Sequence, residues 1–266
     1  MKLLFFFNMG FTKTIAKKGA RQVIIQTQNQ EKCRCSVLLG ITADGDRLPP
    51  LVIFKAKENK TVYKKLQSNI NVKNHLIYVE CNNNAWCTES IMKKWFDNIW
   101  IPYINKNKYA IDGYGYFIMD KATAHWTEEI LTNYKTDKSF ISFIPAGLTR
   151  YFQPLDVSVN KPFKTALKQK YINYCIEEGQ ENQKVSRNKI IEFICNVWYD
   201  NSIISKEIIY NSFRCTGIAN NINGTEDYLF SAWNYMKNEK PLIINDFNLI
   251  EGKDVEDDSD DESENN

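Results

Sequence analysis

The stretch FIMDKATAHW, residues 117–126, places a single aspartate, Asp120, at the end of an apolar run. A polar turn follows, with His125, one of only two histidines in the chain. The run GYFIMD is typical of a buried central strand, and the residues after the turn predict a helix around 127–134. Asp120 is therefore either a metal-binding carboxylate at a strand end or an ordinary turn residue. Partners elsewhere in the chain must decide between the two.

Upstream of Asp120 the sequence predicts a hairpin-rich sheet and then a helix. Strand patterns occupy 21–27, 33–43 and 50–55, and the opening MKLLFF resembles a truncated strand. Asp44-Gly45-Asp46 is a hairpin signal, which favours a turn role for both aspartates over a catalytic one. A helix from Glu89 to about Ile104, capped by Thr88, carries an apolar face that belongs on a sheet. Core positions are expected for Trp86, Trp95 and Trp100.

Downstream of Asp120 the sequence predicts one more strand and then helices. The strand spans 139–146, and the first helix runs from Pro162 to about Glu178, with further helices at about 187–199 and 205–213. On the first helix the core-facing side chains are expected to be Phe163, Leu167, Tyr171 and Tyr174, and a basic ridge comprises Lys161, Lys164 and Lys168. This order suits an α/β domain with a mixed sheet.

Bulk composition indicates a globular protein and argues against a disulfide-rich or membrane-spanning one. The 266 residues are 43% hydrophobic, which supports a sizeable core. Seven cysteines without CxxC spacing indicate neither a disulfide framework nor a zinc knuckle, so a reducing compartment is expected. The short apolar run at the start is too brief for a signal peptide, and no stretch of the sequence approaches a membrane span.

The charge distribution is asymmetric. Residues 251–266 hold nine acids against one lysine, which leaves 33 bases against 23 acids, or +10, on the rest of the chain. A basic body with an acidic, disordered tail is compatible with a polyanion partner such as nucleic acid. A tail that only adds solubility fits the same charges equally well.

A second aspartate, Asp156, stands in IPAGLTRYFQPLDVSVNKPFK, residues 144–164. Thirty-five residues separate it from Asp120, which is room for a helix and a strand that return the chain to the same sheet edge. Two carboxylates that converge there can hold Mg²⁺ or Mn²⁺, and paired ions of this kind support phosphoryl transfer. Aspartate pairs at this interval are common, so spacing alone leaves the metal site undecided.

Four segments resemble, in order, the blocks of pogo/Tigger-type DDE transposases and the jerky-like proteins derived from them. They are NAWCTESIMKKWFDNIWIPYI, FIMDKATAHW, IPAGLTRYFQPLDVSVNKPFK and FRCTGIANNINGTED, and the QPLD block is the most specific. The resemblance implies an RNase H-like fold in which three acidic residues bind two divalent metal ions and cut or join DNA strands. By that resemblance Asp120 corresponds to the second acid and Asp156 to the third.

The family's first acid has no counterpart in the sequence. It normally lies in an N-x-D-E-T strand just before a segment like FNMGFTKTIAKKG, but here no aspartate or glutamate precedes Glu31. Asp44 and Asp46 are poor substitutes because they occupy the hairpin turn. Two carboxylates still suffice for one Mg²⁺, whereas the paired-metal geometry is expected to be lost. The N-terminal helix-turn-helix region usual in these transposases is also missing.

Several further side chains are candidates for accessory roles. His125 matches a histidine of the family block and is expected either to contact phosphate or orient a carboxylate, or to pack against the following helix. Lys121 stands where relatives often carry asparagine. DNA phosphates are candidate partners for Arg150, Lys161, Lys164 and Lys168. For these basic residues an ordinary solvated helix face is the alternative.

The sequence thus predicts a transposase-derived, DNA-binding, nuclear DDE endonuclease-like domain that depends on Mg²⁺ or Mn²⁺ and is impaired in cleavage. We expect an RNase H-like core at 1–178, a helical extension at 179–240 and an acidic tail at 241–266. No membrane association or small-molecule cofactor is expected, and homo-oligomerisation stays open. The alternatives are a domesticated, non-catalytic DNA- or chromatin-binding module, a fragment of a decayed transposable element, and a sequence that lacks an upstream exon with the first acid and the helix-turn-helix.

Overall fold

The computed structural model describes residues 2–6, 34–56, 60–106, 115–120, 139–177 and 185–232. The strands are β1 (Lys2–Phe6), β2 (Arg34–Ile41), β3 (Arg47–Lys55), β4 (Tyr78–Asn82), β5 (Gly115–Asp120) and β6 (Ser139–Ile144). The helices are α1 (Lys60–Gln67), α2 (Ile70–Lys73), α3 (Glu89–Trp95), α4 (Ile101–Lys106), α5 (Thr149–Phe152), α6 (Asn160–Glu177), α7 (Arg187–Trp198) and α8 (Lys206–Cys215). Two π-helical turns, Phe96–Trp100 and Leu155–Val159, and a short 3-10 helix, Asp227–Leu229, complete the described elements.

The strands form two hydrogen-bonded sheets. The larger has the order β1-β2-β3-β4, with antiparallel pairing except between β3 and β4, which run parallel. The smaller consists of the parallel strands β5 and β6. The α/β class and the mixed pairing are as predicted, but the strands are divided between two sheets rather than joined in one.

The hairpin between β2 and β3 forms at the predicted Asp44-Gly45-Asp46 turn. Gly45 has a φ of 85°, a left-handed conformation that glycine adopts without steric cost. The amide of Thr42 donates to the Asp46 carbonyl across the turn at 3.0 Å. Both aspartates therefore belong to a structural turn.

One helical layer covers one face of the larger sheet and also contacts the smaller sheet. It comprises α3, the π-helical turn 96–100 and α4, and it buries Trp95, Phe96 and Trp100. The apolar cluster around these rings includes Leu51 of β3, and Phe117 of β5 packs against it. The indole of Trp100 also donates to Ser139 of β6 at 2.8 Å. The predicted amphipathic helix therefore covers parts of both sheets.

The opposite face of the larger sheet packs against α6, α7 and α8. Trp198 is fully buried there, donates its indole N–H to the Leu48 carbonyl at 2.9 Å and meets the ring of Phe163 edge to face. Arg47 donates to the Trp198 carbonyl at 2.6 Å, which satisfies a carbonyl at the end of α7. As predicted, Phe163 and Leu167 are buried, and Tyr171 and Tyr174 pack against the same core.

Three expectations about packing and secondary structure need correction. The strand β5 was predicted to be a buried central strand. In the described sheet, however, it is one of two strands, and among its six residues only Met119 is buried. Trp86 was expected in the core but is 51% exposed, because its loop is fixed through backbone hydrogen bonds to Asn82 rather than by burial of the ring. The elements α1, α2 and β4 were not anticipated.

Three predicted segments, the strand at 21–27, the helix around 127–134 and the acidic tail, lie outside the described residues. Within the described part of the chain, no helix is long and apolar enough to cross a membrane.

A candidate two-carboxylate site

Asp120 is the last residue of β5, as its position after the apolar run predicts. In the parallel register it lies opposite Ile144, the last residue of β6. The carboxyl ends of both strands thus meet at one edge of the small sheet, and the side chain of Asp120 is partly exposed there. Ligands of open α/β sheets bind outside this end of the strands.

Asp156 lies in the π-helical turn Leu155–Val159, directly after Gln153 and Pro154. Its amide donates to the Gln153 carbonyl at 2.9 Å, and its Oδ1 accepts a hydrogen bond from Asn160 at 2.6 Å. The π-helical turn stands just before Pro162, which has no N–H and whose ring would clash with the carbonyl four residues earlier in a regular helix. Such π-bulges often occur at functional sites.

The two carboxylates interact electrostatically. Burial is the main cause that raises the pKa of the Asp156 carboxyl above its ordinary value, and the negative charge of Asp120 raises that pKa further. The hydrogen bond from Asn160 and the charge of Lys164 act in the opposite direction. Burial and a nearby negative charge both favour the protonated form of a carboxyl, whereas a bound cation would favour its ionised form.

A third carboxylate does not join this pair within the described ranges, where no group of three or more histidine, cysteine or acidic residues is arranged to hold a metal ion. Asp46 is engaged elsewhere, since Tyr103 donates to its Oδ2 at 3.0 Å and Lys206 lies 3.8 Å from its Oδ1. Asp44 shares the same hairpin turn. Neither aspartate is therefore placed to complete the pair.

The predicted basic residues differ in exposure and in their relation to Asp156. Lys164 is exposed and close enough to lower the pKa of Asp156. Lys161 is exposed on the same helix, and Lys168 is partly exposed one turn further along. Arg150 is exposed and stacks its guanidinium over the ring of Tyr151 at 4.4 Å. His125 and Lys121 lie outside the described residues.

Sequence reasoning missed two side chains that support the site. Asn160, which hydrogen-bonds to Asp156, stands four residues later on the same helical segment, a spacing that places two residues on one face. Gln153 is 3% exposed, a burial that its polar character does not predict. The Gln-Pro pair was noted in the sequence as a turn signal and as part of the family's QPLD block, but neither pattern predicts that Gln153 is buried.

A mixed α/β domain with two interacting aspartates, one at a strand end and one on a following helical turn, has the organisation expected of a DDE-type nuclease domain. The sequence model described as "DDE superfamily endonuclease" matches residues 32–213, which is more than half of the chain. The chain therefore belongs to the DDE superfamily endonuclease family.

Within this family the chain is a pogo-type, transposase-derived domain. It is 25% identical over 246 residues to "Pogo transposable element with KRAB domain" from Mus musculus, covering 90% of this chain and 38% of that protein. The protein with the same description from Homo sapiens is 25% identical over 226 residues, covering 82% of this chain and 34% of the relative. "CENP-B homolog protein 2" from Schizosaccharomyces pombe is 23% identical over 228 residues, or 81% and 42%.

The chain thus spans well under half the length of these relatives. No solved structure matches the chain.

Proposed function

We propose that the chain is a nuclear, DNA-binding DDE endonuclease-like domain whose strand cleavage is impaired. The observation that carries the proposal is the family match over 32–213, within which Asp120 ends β5 and Asp156 lies in the π-helical turn before α6, near enough for the charge of Asp120 to raise the pKa of Asp156. The proposed impairment rests on the incomplete acid set, because within the described ranges no third carboxylate is grouped with these two.

The proposal includes an RNase H-like arrangement, in which β5 and β6 extend the layer formed by the larger sheet. Its support is the shared helical layer. Trp95 and Trp100 belong to the cluster that contains residues of β2 and β3, and Phe117 of β5 contacts both rings. We further propose that residues 1–178 form this core and 179–240 a helical extension, with 241–266 as an acidic tail.

The donor set fits one hard divalent cation. Burial and the negative charge of Asp120 both raise the pKa of Asp156. A cation bound to both carboxylates would offset the repulsion between them. Mg²⁺ commonly takes only one or two carboxylates and completes its shell with water or phosphate oxygens. When bound there, Mg²⁺ or Mn²⁺ would supply charge stabilisation to a phosphodiester in displacement.

Asn160 and Lys164 have supporting roles in this proposal. Asn160 fixes the orientation of the Asp156 carboxylate through its hydrogen bond to Oδ1. Lys164 supplies positive charge next to the pair, where it would attract a DNA phosphate. A single bound cation leaves either the attacking or the leaving oxygen without its metal, and this is why we expect slow cleavage.

Plasmid nicking tests the catalytic part. Purified full-length chain is incubated with supercoiled plasmid in Mg²⁺, Mn²⁺ or EDTA, beside Asp120→Ala, Asp156→Ala and the hairpin control Asp44→Ala. We expect weak nicking that requires Mn²⁺ or Mg²⁺ and is lost in both site variants but not in Asp44→Ala. Nicking that survives Asp120→Ala would exclude the proposed site.

Metal affinity provides a readout that does not depend on cleavage. Mn²⁺ binding, followed by water proton relaxation, is expected to be lost in Asp120→Asn and in Asp156→Asn and kept in Asp44→Asn. Equal Mn²⁺ affinity in all four proteins would contradict a metal site at the aspartate pair.

DNA binding is tested through its salt dependence. Each phosphate contact by a lysine contributes about 0.9 to the slope of log affinity against log salt on duplex DNA. The triple change of Lys161, Lys164 and Lys168 to glutamine should therefore make the salt dependence weaker, with the magnitude of the slope reduced by about 3. The matched control changes the exposed lysines of α1 and α2, Lys64, Lys65 and Lys73, and should leave the slope unchanged. Equal slopes in both triple variants would remove α6 from the DNA interface.

A second candidate function is a domesticated module that binds DNA or chromatin without catalysis. The observation that favours it is the incomplete acid set, because within the described ranges no three-residue metal cluster exists. It predicts intact DNA affinity with no nicking in any metal. A fragment of a decayed element, by contrast, predicts neither DNA affinity nor nicking.

A further inference from the structure

An isoleucine stands fully exposed at the tip of a tight turn after α8. The turn comprises residues 221–224, and we refer to it as the Ile222 turn. The amide of Gly224 donates to the carbonyl of Asn221 at 3.2 Å, and Gly224 has a φ of 79°, which glycine adopts without steric cost. Among the large apolar side chains that the structure describes, Ile222 is the most exposed.

Single exposed apolar side chains are common on protein surfaces, so the surroundings of Ile222 decide whether it has a role. The base of the turn is held by Glu226. Its Oε2 accepts a hydrogen bond from the amide of Asn221 at 2.9 Å, and its Oε1 accepts one from Arg214 of α8. The side chain of Asn220 donates to the backbone carbonyl of Glu226 at 3.1 Å. These bonds fix the turn on α8, and Ile222 therefore projects from an anchored framework.

The tip of the Ile222 turn is neutral. Residues 219–225, ANNINGT, include no charged side chain. Two exposed carboxamides, Asn221 and Asn223, stand on either side of Ile222. Proteins that bind the DNA minor groove combine these two chemistries, since their amide side chains contact base edges while an apolar side chain such as isoleucine enters between two base pairs.

The Ile222 turn also lies on an element that contacts the candidate site. Leu155 and Val159, in the π-helical turn that carries Asp156, share an apolar cluster with α8. Beyond the turn, the ring of Phe230 packs against that of Phe152 of α5, with 5.4 Å between the ring centroids. A duplex extends on both sides of the phosphate that a nuclease attacks, so a projection on a neighbouring element can contact flanking base pairs.

We propose that Ile222 is a DNA wedge, which enters the minor groove beside the candidate site and partly unstacks one base step. The inference rests on the proposed DNA-binding function. Asn221 and Asn223 would donate to the acceptors that adenine and thymine present in that groove. Wedges of this kind kink a duplex by roughly 20–90°, and pyrimidine–purine steps such as TA deform most easily.

DNA bending tests the wedge. The full-length chain is added, in EDTA to prevent cleavage, to a duplex of about 30 base pairs that contains TA steps and carries a fluorescence donor and acceptor at its ends. We expect the wild type to bring the ends closer and Ile222→Ala to reduce this change in energy transfer at least about twofold. Ile222→Leu, which keeps an apolar side chain of the same size, should retain the bend.

Ile70→Ala is the matched control. It makes the same substitution at an isoleucine that is 65% exposed at the start of α2, and it should bend DNA like the wild type. Neither alanine variant should alter the free energy of unfolding, because both side chains are exposed. The salt dependence of DNA affinity should also stay unchanged in Ile222→Ala, since no phosphate contact is lost.

The possible results separate the wedge from the proposed function. DNA binding with an equal bend in the wild type and Ile222→Ala would overturn the wedge and leave the proposed DNA binding intact. No DNA binding by any of these proteins would overturn both. Oxidation of thymines by permanganate provides a second readout, because unstacked thymines react faster. Equal thymine reactivity with the wild type and with Ile222→Ala would likewise overturn the wedge.

Sedimentation tests whether the exposed tip instead contacts a second copy of the chain. We expect the wild type and Ile222→Ala to have the same oligomeric state at every concentration. A dimer that forms with rising concentration and is lost in Ile222→Ala would assign the tip to a contact between copies and overturn the proposal.

Discussion

The two sheets of this domain contrast in burial and in the candidate site residues that they carry. In the larger sheet, β2 and β3 are packed on both faces, and Val37, Val52 and Ile53 are fully buried. In the smaller sheet, the exposed side chains include Tyr116 at 62% and Phe140 at 54%, and Asp120 closes β5. Most of the packing energy thus lies in the larger sheet, whereas the smaller one holds a candidate catalytic acid.

This contrast fits the proposed function, in which the site would meet DNA. A carboxylate that binds metal and DNA needs solvent access, which deep burial would deny. The smaller sheet instead obtains support through Phe117, which contacts the buried rings of Trp95, Phe96 and Trp100. Its stability therefore depends on the layer that also covers the larger sheet.

The largest expected effect comes from Trp198→Ala in the core behind the larger sheet. The substitution removes a fully buried ring, its hydrogen bond to Leu48 and its edge-to-face contact with Phe163. We expect a loss of about 3–5 kcal/mol in the free energy of unfolding, measured by urea denaturation. The control Trp86→Ala removes a ring that is 51% exposed and should cost less than about 1 kcal/mol. Similar losses in both variants would contradict the assigned core.

The next largest effect is expected for Phe117→Ala, which tests whether the two sheets unfold together. Phe117 is partly buried, so we expect a loss of about 2 kcal/mol, below the value for a fully buried phenylalanine. Because its ring contacts the shared helical layer, hydrogen exchange should quicken in β2 and β3 as well as in β5. Tyr116→Ala, on the exposed side of the same strand, is the control. Faster exchange confined to β5 and β6 would show that the sheets unfold separately.

The larger sheet and the smaller sheet also differ in what their sequences predict. The strands β2 and β3 follow from apolar runs around an Asp-Gly turn, because local sequence determines a hairpin. The strand β4, Tyr78–Asn82, was missed because it is only five residues long and contains glutamate and asparagine. The smaller sheet was recognised as two strands, but its separation from the larger one depends on tertiary packing that no local pattern records.

The sequence predicts the two acids of the candidate site but not their surroundings. Asp120 and Asp156 were identified through family resemblance, because aspartate pairs at this spacing are common. The contact of Asn160 with Asp156 depends on a π-helical turn, which is a property of the folded chain rather than of a segment.

A smaller effect, opposite in sign, is expected for Asp156→Asn. Burial raises the folded-state pKa of Asp156 above the unfolded value of about 3.9, so the ionised carboxylate opposes folding at neutral pH. The wild-type contribution is thus lost as pH rises through the raised pKa. The asparagine variant should be more stable than the wild type at pH 7 and equally stable at low pH, where the aspartate is protonated. Chemical denaturation across this pH range measures the difference.

Asp200 provides a control of opposite sign for this experiment. Hydrogen bonds from the hydroxyl and amide of Ser202 lower its pKa, so its ionised form favours folding above the unfolded pKa. Asp200→Asn should therefore lose stability at pH 7 rather than gain it. A gain in both variants would show that removal of any negative charge stabilises the chain, and would contradict a specific effect at Asp156.

The smallest effect is expected on the exposed side of the helical layer that joins the sheets. Lys93 and Asp97 form an exposed pair within the layer, with 3.0 Å between Nζ and Oδ2, whereas Lys94 reaches Glu80 of β4 at 2.9 Å and so connects the layer to the larger sheet. Exposed pairs within a helix contribute about 0.3–0.5 kcal/mol, because water screens the charges and both side chains lose freedom. Lys93→Ala should therefore change the free energy of unfolding by at most about 0.5 kcal/mol, and 1 M salt should remove the difference.

Lys94→Ala should cost more, up to about 1 kcal/mol, because Glu80 is only 15% exposed. A larger loss in Lys93→Ala than in Lys94→Ala would show that the layer is stabilised by its own surface charges rather than by its contacts with the sheets.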